Sequence, residues 1–334
     1  MLSRRQAITT SIAAACVSSM PRAFAQAAWP SKPIRIVVPF APGGTSEIVA
    51  RSVAVELGKI LGVSVFVENK PGGAGVIAMQ EVAKAPADGH TFILGHVGTL
   101  AVNPYMLDNQ PYNVDKDFMP VTLLAKVPNV FAVHPDIPAK NLQEFVAYVK
   151  KNPGKLSYGS AGNASAGHLS MEYLKMQTGM FMTHIPYRGT GPQLTDFIAG
   201  RTQAGATGLP AISAQIKSGK LRAIAVGTLQ RIKSMPNVPT VAESSQALGL
   251  GDKLKNFETS QWYGLQAPVG TPATIIKKMQ EECLKALKSS AVTERFANDD
   301  AVSGGMPSAE YAAFIAREQT IWKDIVKRAN IKAD

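Results

Sequence analysis

Two short stretches carry the residue types that could do chemistry here. The first is Phe40-Ala41-Pro42-Gly43-Gly44-Thr45-Ser46 and the second is Gly159-Ser160-Ala161-Gly162-Asn163-Ala164-Ser165. Each follows an apolar, strand-like run and precedes a segment with helical periodicity. A glycine-rich turn that opens a helix presents free backbone N–H groups at the positive end of the helix dipole, and such a place holds an anion without any cationic side chain. Taken singly, each Ser, Thr or Asn in these turns reads equally well as an ordinary helix cap. Taken together, two such turns offer uncharged donors to both ends of a small ligand, which suits a carboxylate. Gly43, Gly44, Thr45, Ser46, Ser160, Ala161, Gly162, Asn163 and Ser165 are therefore candidate ligand contacts, with Phe40 and Ala41 beside them.

Catalytic patterns fit less well. Asn163-Ala164-Ser165-Ala166-Gly167 resembles half of a nucleophile elbow, but Asn replaces the first glycine and seven residues separate Tyr158 from Ser165. His168 and His184 follow too soon to complete a hydrolase order, so a serine hydrolase using Ser165 is the lesser alternative. Pro71-Gly72-Gly73-Ala74-Gly75 lacks dinucleotide-fingerprint spacing, and Gly43-Gly44-Thr45 has no lysine before its hydroxyl residue. His90, His96, His134, His168 and His184 are dispersed, and Cys16 and Cys283 are the only cysteines, so neither a metal nor a cofactor is expected.

The elements that must position these turns alternate along the chain. Ile34–Val38 reads as a strand, a helix runs from Thr45 to about Leu61, and 63–67 forms a second strand. A helix through Lys84 and a strand at Thr91–Gly95 follow, ending at His96. This alternation predicts a parallel sheet whose ligands sit beyond the carboxyl ends of its strands. Val121–Val133 is a long strand-like run broken at Pro128, followed by a helix at 141–151 and a second set of strand–helix units from Leu156. Asn256–Ala267 reads as a strand crossing back, and helices at 271–288 and 308–329 close the chain. Two crossing segments imply two lobes with a cleft: lobe 1 from 28–125 and 255–334, lobe 2 from 126–254.

Composition narrows the class. The formal net charge is +11, but Arg4, Arg5 and Arg22 fall in a leader-like start without acids, leaving 32 basic against 24 acidic residues, or +8. The excess is scattered and not interleaved with aromatics, which argues against nucleic acid and is compatible with attraction of carboxylates. Residues 1–25 read as a signal peptide, with Arg4-Arg5, an apolar run from Ala7 to Val17, and Ala23-Phe24-Ala25 as cleavage site. The expected protein is exported to the periplasm. Ala13-Ala14-Ala15-Cys16 lacks the leucine of a lipoprotein box.

With those residues in view, the chain resembles the Bug-type solute-binding proteins, the extracytoplasmic receptors of tripartite tricarboxylate transporters. The resemblance rests on Trp29-Pro30-Ser31-Lys32-Pro33-Ile34, Val38-Pro39-Phe40-Ala41-Pro42-Gly43-Gly44, Glu68-Asn69-Lys70-Pro71-Gly72 and Ala87-Asp88-Gly89-His90-Thr91. It continues through Ser157–Asn163, His184-Ile185-Pro186-Tyr187-Arg188-Gly189, Val238–Glu243 and Ala267-Pro268-Val269-Gly270-Thr271-Pro272. The resemblance implies a two-lobe α/β fold of the type II periplasmic-binding-protein (Venus flytrap) kind, with two crossover segments. It implies that the turns at Phe40–Thr45 and Ser160–Asn163 grip one carboxylate, partly through ordered waters. His96 and the segment around Thr207 and Gly208 would shape the distal end. Here the chain departs from the family, which often has Asp at the places of Gln203 and Thr207. Without that carboxylate an ammonium group loses a partner, which favours a dicarboxylate, aliphatic or aromatic, over an amino acid. The expected role is capture of a small organic acid by a monomeric receptor for delivery to membrane transporter subunits. A sensor that presents its closed form to a two-component kinase is the alternative.

Overall fold

The computed structural model describes residues 29–332. The expected signal peptide, its cleavage site near Ala25 and Cys16 lie outside the described residues. Two sheets organise the molecule. The first contains β1 (Ile34–Val38), β2 (Val65–Asn69), β3 (Thr91–His96), β4 (Phe118–Val127), β10 (Gln261–Pro268) and β11 (Val302–Ser303), in the order β11-β4-β10-β3-β1-β2. The second contains β5 (Asn129–Val133), β6 (Ser157–Ser160), β7 (Thr183–Pro186), β8 (Ala204–Gly208) and β9 (Arg222–Val226), in the order β7-β6-β8-β5-β9.

Both sheets are mixed: the parallel pairing expected of β1, β2 and β3 is present, and other strands run against it. β1 pairs parallel with β2 and β3, but β10 runs antiparallel to both β3 and β4. In the second sheet β6 is parallel to β7 and β8, whereas β5 is antiparallel to β8 and β9. The cause is the crossing segments. A strand arriving from the other lobe enters at the cleft end of its new sheet and must run away from the cleft, opposite to strands that end there.

Helices cover both faces of each sheet, so the central strands are apolar on both sides. Ile34, Ile36 and Val38 pack toward α1 (Thr45–Leu61) and α7 (Ala273–Leu287), where Val49, Val53, Leu57, Met279 and the free thiol of Cys283 share one core. Val37 faces the opposite side with Met79 and Val82 of α2 (Val76–Ala83) and Phe314 and Trp322 of α9 (Ser308–Ala329). In the second sheet, Phe131 and Val133 meet α3 (Leu142–Lys151) and α4 (Ala166–Thr178). The alternate residues Val130 and Ala132 meet α5 (Thr190–Ile198) and α6 (Leu209–Lys217). The period of two along β5 places these residues on opposite faces. Among the longer helices, α6 and α8 (Ser290–Asn298) go beyond the sequence reading. None of the described helices is long and apolar enough to cross a membrane.

The two crossings lie side by side. Val127-Pro128-Asn129 carries the chain from β4 to β5, and 259–261 brings it back into β10. The Asn129 side chain ties them: its Nδ2 donates to the Thr259 carbonyl (2.5 Å) and Ser170 Oγ (2.9 Å), and its Oδ1 accepts from Gln261 Nε2 (2.6 Å). Asn129 is fully buried, so these bonds satisfy a polar group that would otherwise be costly where the two crossings meet.

Candidate functional site

Between the lobes lies a narrow cavity, with about 20 Å³ of free space. Three helix N-termini converge on it. α1 begins at Thr45 because Pro42, Gly43 and Gly44 end the strand geometry, with Gly43 at φ +90°, a conformation that suits glycine. No side chain caps α1, so the N–H groups of Thr45 and Ser46 point forward without a capping partner. The Gly43 N–H is already engaged, donating to Glu47 Oε2 at 2.7 Å, and Arg51 holds that carboxylate from the other side. α4 contributes Ser165, Ala166 and Gly167 to the wall, and α5, also without a side-chain cap, contributes Thr190 and Gln193.

The side chains between these helix ends are donors without charge. His96 ends β3 and is buried, its ring 4.7 Å from that of Phe40. Its Nδ1 accepts the Gly98 N–H at 3.0 Å, which assigns the ring proton to Nε2, and Nε2 is buried without a partner among the described residues. Burial pushes this imidazole down to a pKa of about 3, so it stays neutral and offers Nε2–H. Thr207 Oγ1 accepts from Gln193 Nε2 at 3.3 Å, and the same nitrogen donates to the Gly159 carbonyl at 3.0 Å. The Thr207 hydroxyl is thereby left to donate into the cavity. β10 supplies the floor, Gln261, Trp262 and Tyr263. Tyr263 donates to Gln261 Oε1, and the Trp262 indole donates to Glu318 Oε2 at 2.7 Å. No Asp, Glu, Lys or Arg lines the cavity among the described residues.

Of the candidate residues, Phe40, Ser46, His96, Ala161, Ser165 and Thr207 line this cavity. Others form the seam where the lobes meet. The Ala41 N–H donates to the Arg188 carbonyl across the cleft at 3.0 Å. A Cβ on Gly43 would sit 3.4 Å from Gly191 Cα, and one on Gly44 would sit 3.0 Å from Thr190 Oγ1. Thr45 and Gly208 likewise abut one another beside Gln261. The nearest opposite neighbour of the Gly43-Gly44 bend is thus Gly189-Thr190-Gly191. Ser160 is directed elsewhere, with Oγ 2.6 Å from His184 Nε2, and Gly162 and Asn163 line a separate outer recess.

Ser165 is the N-cap of α4, accepting the His168 N–H at 3.3 Å, while His168 Nδ1 accepts from the Ala164 N–H. The nearby imidazole therefore orients a helix start and is not aimed at the Ser165 hydroxyl. No group of three His, Cys, Asp or Glu residues capable of holding a metal occurs among the described residues.

Residues that sequence reasoning missed include Thr190, Gln193, Gln261, Trp262 and Tyr263. A signal existed for Thr190: Gly189-Thr190 follows a strand ending in proline and opens a helix, as Gly44-Thr45 does after Pro39. Nothing in residue type separates Trp262 and Tyr263 from the core of a strand.

With this geometry established, comparison with known proteins gives a consistent picture. The model of the tripartite tricarboxylate transporter family receptor matches residues 49–331. Protein BugT of Bordetella pertussis is 34% identical over 305 residues, 91% of each chain. Rpa4515 of R. palustris, solved with adipate, superposes with TM-score 0.86 at 33% identity, covering 92% of this chain and all of that one. MatC from Rhodopseudomonas palustris, solved with bound malate, superposes with TM-score 0.83 at 32% identity, covering 89% of this chain and all of that one. The two-sheet architecture is the two-lobe fold of these receptors, and the chain belongs to the tripartite tricarboxylate transporter receptor family, whose members are periplasmic solute-binding receptors and not enzymes.

Proposed function

We propose that this protein captures a small organic acid, a dicarboxylate in preference to an amino acid, and delivers it as a monomer to the membrane subunits of a tripartite transporter. One observation carries the reading. Three helix N-termini and the unpartnered, buried Nε2–H of His96 converge on a cavity with no formal charge. Such a cavity has donors in excess and nothing to neutralise an ammonium group. A carboxylate is the small group that satisfies several such donors at once. The uncharged lining also suits reversible capture, because no buried ion pair must be broken on release. Adipate in Rpa4515 and malate in MatC, both similar to this chain, support a dicarboxylate.

In this reading lobe 1 is 28–125 with 255–334, and lobe 2 is 126–254. They rotate about the Asn129–Thr259–Gln261 pivot. Ligand bridges α1 and β3 on one side and α4, α5 and β8 on the other. It shifts the open–closed equilibrium by its differential affinity for the closed form.

A thermal-shift panel of mono- and dicarboxylates and acidic amino acids on the purified protein tests the class, since a specific ligand stabilises by RT ln(1 + [L]/Kd). Stabilisation by glutamate or aspartate alone refutes the dicarboxylate preference, and stabilisation by no organic acid refutes the function. A single hydroxyl tests the geometry. Thr207→Val keeps the shape of the side chain and removes its donor, so the dicarboxylate that binds best will bind about tenfold more weakly in calorimetry. Unchanged affinity would take Thr207 out of the site.

A further inference from the structure

A second recess, of about 440 Å³, lies on the far side of the wall made by Phe40 and Ala161, which line both spaces. Each lobe builds half of it. Lobe 1 supplies the Pro71–Gly75 turn and Ile77, and lobe 2 supplies Gly162, Asn163 and the end of β7 through Arg188. The recess therefore exists only when the lobes are together, as the ligand cavity does.

Its chemistry is one-sided. Arg188 is the one formal charge on its lining, exposed and without an ion pair among the described residues, and no carboxylate faces it there. Opposite, the backbone of Gly72, Gly73 and Ala74 stands at φ +124°, +55° and +54°. In that bend the backbone bonds run from the Gly75 N–H to the Gly72 carbonyl and from the Val76 N–H to the Gly73 carbonyl, so the N–H groups of Gly72, Gly73 and Ala74 are not used within it. Successive N–H groups in a bend of this sort form an anion-binding concavity. Ile77, half exposed, and Pro186 give the remaining walls an apolar character.

We propose that this recess is a second subsite, which takes the distal anionic group of acids too long for the inner cavity. The proposal rests on the carboxylate-capture reading above. One carboxylate sits among His96, Ser46 and Thr207. The chain of a longer acid passes between Phe40 and Ala161, and its far carboxylate meets the Arg188 guanidinium and the Gly72–Ala74 amides. Short diacids and monocarboxylates end inside the wall and never reach Arg188.

Calorimetric titration of the wild type and Arg188→Ala tests this with linear α,ω-dicarboxylates of three to eight carbons and monocarboxylates of matched length. The Arg188 side chain is exposed and its closing contact is made by its backbone carbonyl, so the variant keeps both fold and seam. The longer diacids will bind the variant about fivefold more weakly, while the shortest diacids and all monocarboxylates stay within about twofold. Arg188→Lys will recover part of the loss, and added salt will weaken long-diacid binding in the wild type more than in Arg188→Ala. An equal loss for every acid, or no loss for any, overturns the subsite and leaves carboxylate capture standing. Failure of the wild type to bind any acid of the series overturns both.

Discussion

Replacing Gly191 by alanine will weaken ligand binding by about 100-fold while leaving the ligand-free chain at least as stable. The seam between the lobes is backbone against backbone. Gly189 and Gly191 lie directly on Ala41, Pro42 and Gly43, and the Ala41 N–H reaches the Arg188 carbonyl. A Cβ on Gly191 would stand 2.6 Å from the Pro42 carbonyl oxygen, closer than side chains approach backbone in folded proteins. That oxygen belongs to the other lobe, so the conflict exists only in the closed form. Overpacking of this kind costs about 1–3 kcal/mol. Because apparent affinity scales with the closed fraction, the upper end of that range corresponds to about 100-fold. The open form gains instead. Gly191 lies within α5 at an ordinary φ, where alanine is favoured over glycine by about 0.5–1 kcal/mol. Calorimetry with the best-binding acid, urea denaturation without ligand, and small-angle scattering with and without ligand separate the two effects. Affinity within twofold of wild type would mean that the lobes do not need this contact to close.

Gly191 also shows where sequence reading stops. The strand–turn–helix at 34–61 was legible because its residues state their own geometry: an apolar β-branched run, then Pro and Gly, then a hydroxyl and an acid opening a helix. Pro128 was legible as a break for the same reason, and it divides β4 from β5. α6 was not, because it opens at Leu209-Pro210 with no Ser, Thr, Asp or Asn as N-cap. The antiparallel direction of β5 and β10 was not legible, because strand direction after a crossover is decided by which lobe the chain comes from, and no local pattern carries that. Among the candidate residues that line the cavity, Phe40, Ser46 and Ser165 stand out in the sequence as polar or aromatic residues at strand-to-helix turns, whereas His96 and Thr207 are named through the family resemblance. Gln193 carries no signal in its segment, and its place in the site is seen only when its amide is found bonded to Gly159 and Thr207. Ser160 reads as a ligand donor until His184, 24 residues away, takes its hydroxyl. Both cases turn on tertiary partners, which spacing along one strand or helix cannot express.

Two buried histidines, His96 and His168, lead to the other large effect, a loss of about 3 kcal/mol of folding stability between pH 7 and pH 5 in the ligand-free protein. His96 and His168 are both buried, and burial pushes each down to a pKa of about 3, with Lys175 adding to the shift at His168. Each uses Nδ1 to accept a backbone N–H, from Gly98 and Ala164, so neither can take a proton there without losing that bond. An unfolded histidine titrates near 6.5, so between about 3 and 6.5 the unfolded chain binds more protons than the folded one. Stability therefore falls as pH falls through that window, by about 2 kcal/mol per histidine at pH 5. Glu318 and Asp299 act in the opposite sense, because burial raises both carboxyl groups and makes the folded state the better proton acceptor. They offset part of the sum. Urea midpoints at pH 7 and pH 5 measure the difference, and His168→Gln, which keeps a side-chain acceptor for the Ala164 N–H, will remove roughly half of it. A flat profile would mean that these rings reach solvent when protonated. Ligand adds a diagnostic sign. A carboxylate against His96 Nε2 favours the imidazolium, so saturating ligand will shrink the acid loss beyond its uniform stabilisation at pH 7, and in His96→Gln that extra protection will vanish.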